Sequence, residues 1–303
     1  MGKFSKKRFS KVNIEISNIC NLQCSFCPEV IRAKKTMDID LFERVIQQVS
    51  PLTDQVCLHL MGEPLLHPKL AEMVEICSKH NTRIFLVSNG VLLREKHQHI
   101  LKDPIFRQIC FSLHSYPDNF GQRDPSIYLQ RIFEFTDMVL QERPELYINF
   151  RLWNLQDVRG GSSSNIDMLQ KISQHYEQPL DVEHFDVRRG KSIRITGRLY
   201  LHFDTEFTWP SLDVPVLQER GTCYGLRSHF GILADGTVVP CCLDKEGVIP
   251  LGNIAEQNIL DVLEGTRAQK ILKGFREGRL EEDLCKRCNY IERFVKKGKK
   301  QIS

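Results

Sequence analysis

The feature that most constrains the fold is a strand–helix alternation running from residue 12 to about residue 187. In residues 12–17, apolar Val12, Ile14 and Ile16 alternate with polar Asn13, Glu15 and Ser17, as in a half-buried strand. Asp40 and Glu43 read as a capping box for a helix with Leu41, Val45, Ile46 and Val49 on one face. A short apolar strand, 56–61, precedes Gly62-Glu63-Pro64. Pro68 then suits the first turn of a helix with Leu70, Met73, Val74 and Cys77 inward. Further strands are expected at 83–87, 108–113 and 146–152, with helices near 91–101 and 125–141 between them. A Gly/Ser loop at 160–164, a helix near 166–175 and a sixth strand near 182–187 complete the series. Such units predict an α/β fold, a parallel sheet with helices outside. In parallel α/β barrels the chemistry gathers at the C-terminal ends of the strands.

Several unusual residues fall at those ends. Cys20, Cys24 and Cys27 follow the first strand within eight residues, with Phe26 directly before the last thiol. Thiolates are the usual ligands of iron–sulfur clusters, and three of them leave one iron of a four-iron cube open to a small molecule. A zinc knuckle is the alternative, although zinc sites favour ligand pairs adding to four and this triplet has no obvious nearby fourth. Cys57, Cys77 and Cys110 lie among apolar neighbours and read as packing.

After about residue 190 the rhythm stops and cysteines return as Cys223, Cys241, Cys242, Cys285 and Cys288. Between them, 230–239 reads as a hairpin turning at Asp235-Gly236. Thr266 and Gln269 read as the cap of a helix carrying Ile271, Leu272 and Phe275. A thiol on either side of a hairpin, plus Cys285-Lys286-Arg287-Cys288, supplies four ligands. They suit a second cluster or a tetrahedral Cys₄ zinc site.

The eleven cysteines occur without a secretory h-region, which argues for metal or thiol chemistry in a reducing, cytoplasmic setting rather than disulfides. Gly2 fails as a myristoylation signal because Lys6 stands where Ser or Thr is needed. No apolar run is long enough to span a bilayer. The net charge of +4 is too mild to argue for nucleic acid, and its excess sits in basic tails, 1–11 and 291–303.

The Cys20–Cys27 run resembles the signature of the radical S-adenosylmethionine (SAM) superfamily. The resemblance covers roughly residues 12–290 and implies a partial (β/α)₆ TIM-type barrel over 12–190. In that family the open iron chelates SAM, and one electron cleaves it to methionine and a 5′-deoxyadenosyl radical that takes a hydrogen atom from substrate. Gly62-Glu63-Pro64 resembles the family's Gly-Gly-Glu motif, which contacts the SAM methionyl amino group, with Met61 where the first Gly is commoner. By the same resemblance Ser112 would contact SAM, Arg123 would pair with its carboxylate or stand as a surface arginine, and Ser88 and Asn89 would line the adenosyl pocket. His114 and Arg151 end strands four and five. They could face the substrate, although packing is the commoner duty for such residues.

Residues 191–290 resemble the SPASM or twitch extension of these enzymes. Cys223, then Gly236 followed five residues later by Cys241, then Cys285 and Cys288, match its opening pattern and leave Cys242 spare. The full seven-cysteine SPASM pattern is not present, so the resemblance implies one auxiliary [4Fe–4S] cluster beside the SAM cluster. It further implies a small electron donor such as flavodoxin or ferredoxin, and a peptide, protein, sugar or aminocyclitol substrate. Two alternatives stand beside this oxidoreductase. One is a MoaA-like nucleotide cyclase, against which the four auxiliary thiols count, because that family uses three. The other is a non-enzymatic iron–sulfur or zinc module that binds RNA or a partner.

Overall fold

The computed structural model describes residues 9–155, 165–180, 190–206 and 208–294 of the 303-residue chain. Its strands are β1 (Lys11–Ile14), β2 (Gln55–Cys57), β3 (Arg83–Ser88), β4 (Phe106–Ser112), β5 (Tyr147–Leu155), β6 (Ser192–Thr196), β7 (Leu199–Thr205), β8 (His229–Ile232), β9 (Thr237–Val239) and β10 (Gly252–Asn253). They form one sheet in the order β10-β9-β8-β1-β2-β3-β4-β5-β7-β6. From β8 through β7 every neighbouring pair is parallel, whereas β6, β9 and β10 pair antiparallel at the two edges. The sheet is open, with β10 and β6 as its edges, which is the partial-barrel form expected from the sequence.

The connecting helices are α1 (Ile39–Val49), α2 (Leu70–Lys79), α3 (Glu95–Leu101), α4 (Ser115–Phe120), α5 (Ser126–Glu142) and α6 (Ile166–His175). The C-terminal part adds α7 (Ile259–Glu264), α8 (Thr266–Glu277) and α9 (Asp283–Lys286). Side chains alternate across a strand, so one set of each strand's residues faces the helices. Val12, Ile14, Val56, Ile84, Leu86, Ile109, Phe111, Ile148 and Phe150 join Phe42, Ile46, Met73, Ile132 and Phe135 of the helices in a single core. The opposite set is chemically different. Its apolar part is a small separate cluster of Cys57, Phe85, Val87 and Cys110, around which stand Asn13, Asn149, Arg151 and His202. Cys77 is buried in the main core, as expected, while Cys57 and Cys110 are buried on this inner face.

Several boundaries differ from the sequence reading. The cap of α1 is Asp38, whose Oδ1 accepts from Leu41 N at 2.8 Å, so Asp40 already lies inside the helix. Pro68 lies in the turn before α2, whose N-cap is Lys69. Helix α3 begins at Glu95, and α8 starts after Gly265 with no side-chain cap, so Thr266 is its first residue. The strand expected at 182–187 and the Gly/Ser loop at 160–164 lie outside the described residues. The sixth parallel strand of the series is β7, which pairs with β5 and is reached through the β6–β7 hairpin. The expected hairpin at Asp235-Gly236 is present as β8–β9, with Gly236 at φ +89°. Its first strand lies parallel to β1, so the region after residue 190 extends the same sheet.

Candidate functional site

The cysteine loop leaves β1 and passes over the C-terminal ends of β2 to β4. Gly62 makes this approach possible. At φ +79°, a Cβ there would sit 2.3 Å from the Ser17 carbonyl oxygen and 2.8 Å from that of Ile19, so only glycine fits. Glu63 N donates to Ile19 O at 2.9 Å, fastening the turn to the loop. The buried Glu63 carboxylate then gathers three donors: Leu65 N (3.0 Å), Ser88 Oγ (2.8 Å) and Asn89 N (2.8 Å). Asn89 Nδ2 donates to Asn21 Oδ1 at 2.9 Å and points at Cys20 Sγ, 3.9 Å away. The expected SAM-motif residues Gly62, Glu63, Ser88 and Asn89 are therefore brought together around the loop. Pro64 opens the buried 3₁₀ turn Pro64–Leu66 behind Glu63.

Helix α4 clamps the loop from the other side. Asp118 accepts from Ser25 N and Ser25 Oγ, both at 2.6 Å, and Asn119 Oδ1 accepts from Gln23 N at 2.9 Å. Asn119 Nδ2 donates to Cys24 Sγ at 3.2 Å. Trp209 Nε1 donates to Phe26 O at 3.2 Å, and the Phe26 ring lies 4.7 Å from that of buried His114. Burial pushes the Cys24 thiol up to about 12 and the Cys27 thiol up to about 11, with the neighbouring thiols adding to both. Three adjacent thiols that resist ionisation by themselves, two with amide donors aimed at sulfur, fit a cationic iron site that takes them as thiolates.

The second set is also assembled. Cys241 follows β9, Cys285 lies in α9, and Cys223 and Cys288 approach from the flanking loops. Burial raises all four thiols. Cys242, Cys285 and Cys223 raise Cys241 further, Cys223 and Cys288 raise Cys285, and Cys242 adds to the rise at Cys223 and Cys288. Cys242 packs with Trp209 against the apolar cluster of Val30, Leu60, Met61, Leu233 and Val239. Among the described residues, no three His, Cys, Asp or Glu side chains converge on one point as the ligands of a single ion do.

A buried ionic strap joins the two cysteine sets. Glu15, fully buried beyond β1, pairs with the Arg32 guanidinium and accepts from Ala234 N at 3.2 Å. Arg32 Nε donates to Lys245 O at 2.6 Å, and Glu246 accepts from Ile31 N and Arg32 N, both at 3.1 Å. Lys245 pairs with Glu246, donates to Glu29 O at 2.7 Å and brings positive charge toward Cys27. Arg32→Ala strands the Glu15 carboxylate and is expected to destabilise by about 3–5 kcal/mol. In Glu15→Gln/Arg32→Met much of that loss should return, because no lone charge remains buried. Urea unfolding of both variants checks this.

Among the other expected site residues, Arg151 lies within β5, which runs on to Leu155, rather than at its end. Ser112 ends β4, and its carbonyl accepts from the Ser115 hydroxyl. Arg123 lies exposed after α4, and its side chain has no hydrogen-bond or ion-pair partner among the described residues. His114 is buried, with Nδ1 3.0 Å from Arg151 O. Arg151 turns onto the inner face, 4.3 Å from the Trp153 ring centre. Sequence reasoning missed Asn21, Asp118, Asn119, Trp209 and Lys245, whose contacts with the loop form only in the folded chain.

Burial holds His59, His114, His202 and His229 down to about 4, with Arg151 or Lys11 adding to the effect at each. Unfolded imidazoles titrate near 6.5, so between these values the unfolded chain binds protons that the folded chain refuses. The stability held above about pH 6.5 is therefore lost as pH falls toward 4. His114 alone should withdraw roughly 2 kcal/mol between pH 7 and pH 5. Equal urea midpoints at the two pH values would refute this.

Comparison with known proteins gives this arrangement a class. A family model for the radical SAM superfamily matches residues 14–148, and one for an iron–sulfur cluster-binding domain, SPASM, matches residues 223–289. The chain therefore carries a radical SAM domain over residues 14–148 and a SPASM domain over residues 223–289, and it is an enzyme. A radical SAM domain implies a [4Fe–4S] cluster and SAM, and a SPASM domain implies auxiliary iron–sulfur. Among relatives, the chain is 24% identical to the S-adenosyl-L-methionine-dependent 2-deoxy-scyllo-inosamine dehydrogenase of Niallia circulans, with 94% of each chain covered. The fold is similar to that of BtrN in complex with AdoMet and 2-DOIA, with a TM-score of 0.58 at 19% identity and 94% of each chain covered. It is also similar to Streptococcus suis SuiB bound to S-adenosylmethionine, with a TM-score of 0.60 at 17% identity, covering 94% of this chain and 72% of that one. No helix among the described residues is long and apolar enough to cross a membrane.

Proposed function

We propose that this enzyme is a radical SAM oxidoreductase that abstracts a hydrogen atom from a small hydroxyl-bearing substrate held on the inner face of the sheet. The observation that carries the reading is the placement of the Cys20–Cys27 loop at the strand ends, above a face lined by polar and ionisable side chains. Cys20, Cys24 and Cys27 would hold the SAM cluster, and Cys223, Cys241, Cys285 and Cys288 one auxiliary cluster. When bound, the first cluster supplies the electron that cleaves SAM to methionine and a 5′-deoxyadenosyl radical, and the auxiliary cluster accepts or relays an electron.

The chain's own residues fix the geometry of that chemistry. Asn119 and Asn89 aim amide N–H groups at Cys24 and Cys20, and donors to cluster sulfur are a recognised control of cluster potential. The Glu63 bonds hold the ends of β2 and β3 under the loop, and Gly62 keeps the turn close enough to meet it. Trp209 bonds to the Phe26 carbonyl and the His114 ring lies against that of Phe26, which fixes Phe26 beside the last thiol. The end-to-end correspondence with the dehydrogenase supports a small substrate. A peptide substrate is the second reading, favoured by the likeness to SuiB, which has been crystallised with its precursor peptide SuiA. A small electron donor of the flavodoxin or ferredoxin type would reduce the SAM cluster.

Deuterium transfer tests the abstraction. With reductant, SAM and a panel of polyols and aminocyclitols deuterated at their hydroxyl-bearing carbons, a converted compound should pass its label into 5′-deoxyadenosine. Conversion that yields unlabelled 5′-deoxyadenosine would contradict abstraction at those carbons.

A further inference from the structure

The inner face of the sheet contains a positive locus with no counter-charge among the described residues. Lys11 of β1 and Arg151 of β5 both reach over the ring of Phe85, at 5.7 and 5.4 Å from its centre, and Arg151 also lies over Trp153. Among the described residues neither cation has a carboxylate partner. The carboxylates of the neighbouring strands are engaged elsewhere: Glu15 with Arg32, and Asp204 with Lys191 at 2.6 Å. His59 follows β2 close enough for both cations to act on it, and its buried Nδ1 has no hydrogen-bond partner among the described residues.

This combination is unfavourable for a chain by itself. Half-buried cations lose hydration, and contact with aromatic faces restores only part of it. A buried ring nitrogen without a partner adds a further penalty. The shortfalls coincide on one face and are met together by a single kind of group. An oxyanion can take the guanidinium fork through two oxygens, draw the Lys11 ammonium and accept from an Nδ1–H tautomer of His59. Phe85 and Trp153 would keep the guanidinium plane oriented for that fork.

We propose that Lys11, Arg151 and His59 bind an oxyanion of the substrate, a phosphate or carboxylate, on the inner face of the sheet. This deepens the radical SAM reading and rests on it for placing the substrate there. It narrows the substrate to an acidic small molecule such as a phosphorylated or carboxylated polyol. An uncharged or purely cationic aminocyclitol would leave the locus unmatched.

The test is calorimetric titration of the full-length, cluster-loaded protein with inorganic phosphate, performed anaerobically with and without saturating SAM. The unsubstituted protein should bind phosphate in both conditions. Arg151→Met should weaken that binding at least tenfold, Lys11→Met severalfold, and Arg151→Lys should retain an intermediate affinity. Folding is checked by the unfolding midpoint. Should Arg151→Met fail to fold, Lys11→Met and Arg151→Lys carry the comparison. Absence of phosphate binding, or affinities unchanged in the variants, overturns the proposal. Competition between SAM and phosphate also overturns it, by assigning the locus to the SAM carboxylate. Formation of 5′-deoxyadenosine is read separately on the unsubstituted protein, so phosphate binding without SAM cleavage would fault the radical reading and leave the anion locus standing.

Discussion

Replacing Cys24 by alanine is expected to abolish formation of 5′-deoxyadenosine while leaving about four irons per chain at the auxiliary site. Cys24 is the thiol that Asn119 addresses directly, and its loop is fixed by Asp118, Asn119 and Trp209 rather than by the cysteines themselves. The variant should therefore fold with its loop in place and lose the chemistry alone. Iron content, circular dichroism and product analysis on one preparation separate these effects. Cleavage surviving at the wild-type rate would remove Cys20, Cys24 and Cys27 from the SAM site.

The second large effect concerns the auxiliary thiols. Cys285→Ala/Cys288→Ala removes two of the four proposed ligands, Cys285 in α9 and Cys288 in the turn after it. About four irons per chain should be lost, with the radical SAM cluster still loaded. Unchanged iron together with lost zinc would assign the site to structural zinc instead. The ionic strap predicts a further consequence. The segment after Cys242 is bonded to the segment after Cys27 through Lys245, Glu246 and Arg32, so disorder at the auxiliary site should also loosen the SAM loop. Hydrogen exchange at Ile31 and Arg32 should rise in the double variant.

Most of the core was legible in the sequence because its strands and helices are local patterns. The alternation at Val12, Ile14 and Ile16 and the inward positions of α1 and α2 follow from period alone. Cap positions moved by one or two residues because Asp38 and Asp40 are equally good caps in isolation, and only the start of α1 chooses between them. The β6–β7 hairpin was missed although Ile193 and Ile195 alternate with polar residues and Gly197, at φ +48°, marks its turn. The parallel pairing of β8 with β1 joins residues more than 200 positions apart, and no local pattern encodes it.

The site divides along the same line. Cysteine spacing exposed the seven proposed ligand thiols, and strand-end position exposed Gly62, Glu63, Ser88 and Asn89. The clamp from Asp118 and Asn119 spans more than ninety residues and has no spacing signature. Arg123 lies exposed after α4, a placement that its sequence position alone did not indicate. Arg151 was singled out by its strand, but its pairing with Lys11 over Phe85 was hidden because β1 and β5 are far apart in sequence and share only the inner face of the folded sheet.

The Cys20–Cys27 loop is proposed to assemble a cluster that reductively cleaves SAM. The direct measurement is to reconstitute the protein anaerobically with iron and sulfide, add dithionite and SAM, and quantify 5′-deoxyadenosine and methionine. Equimolar formation of the two, dependent on reductant and absent in Cys24→Ala, is the expected result. A fully loaded protein that neither binds SAM nor forms 5′-deoxyadenosine would contradict the account.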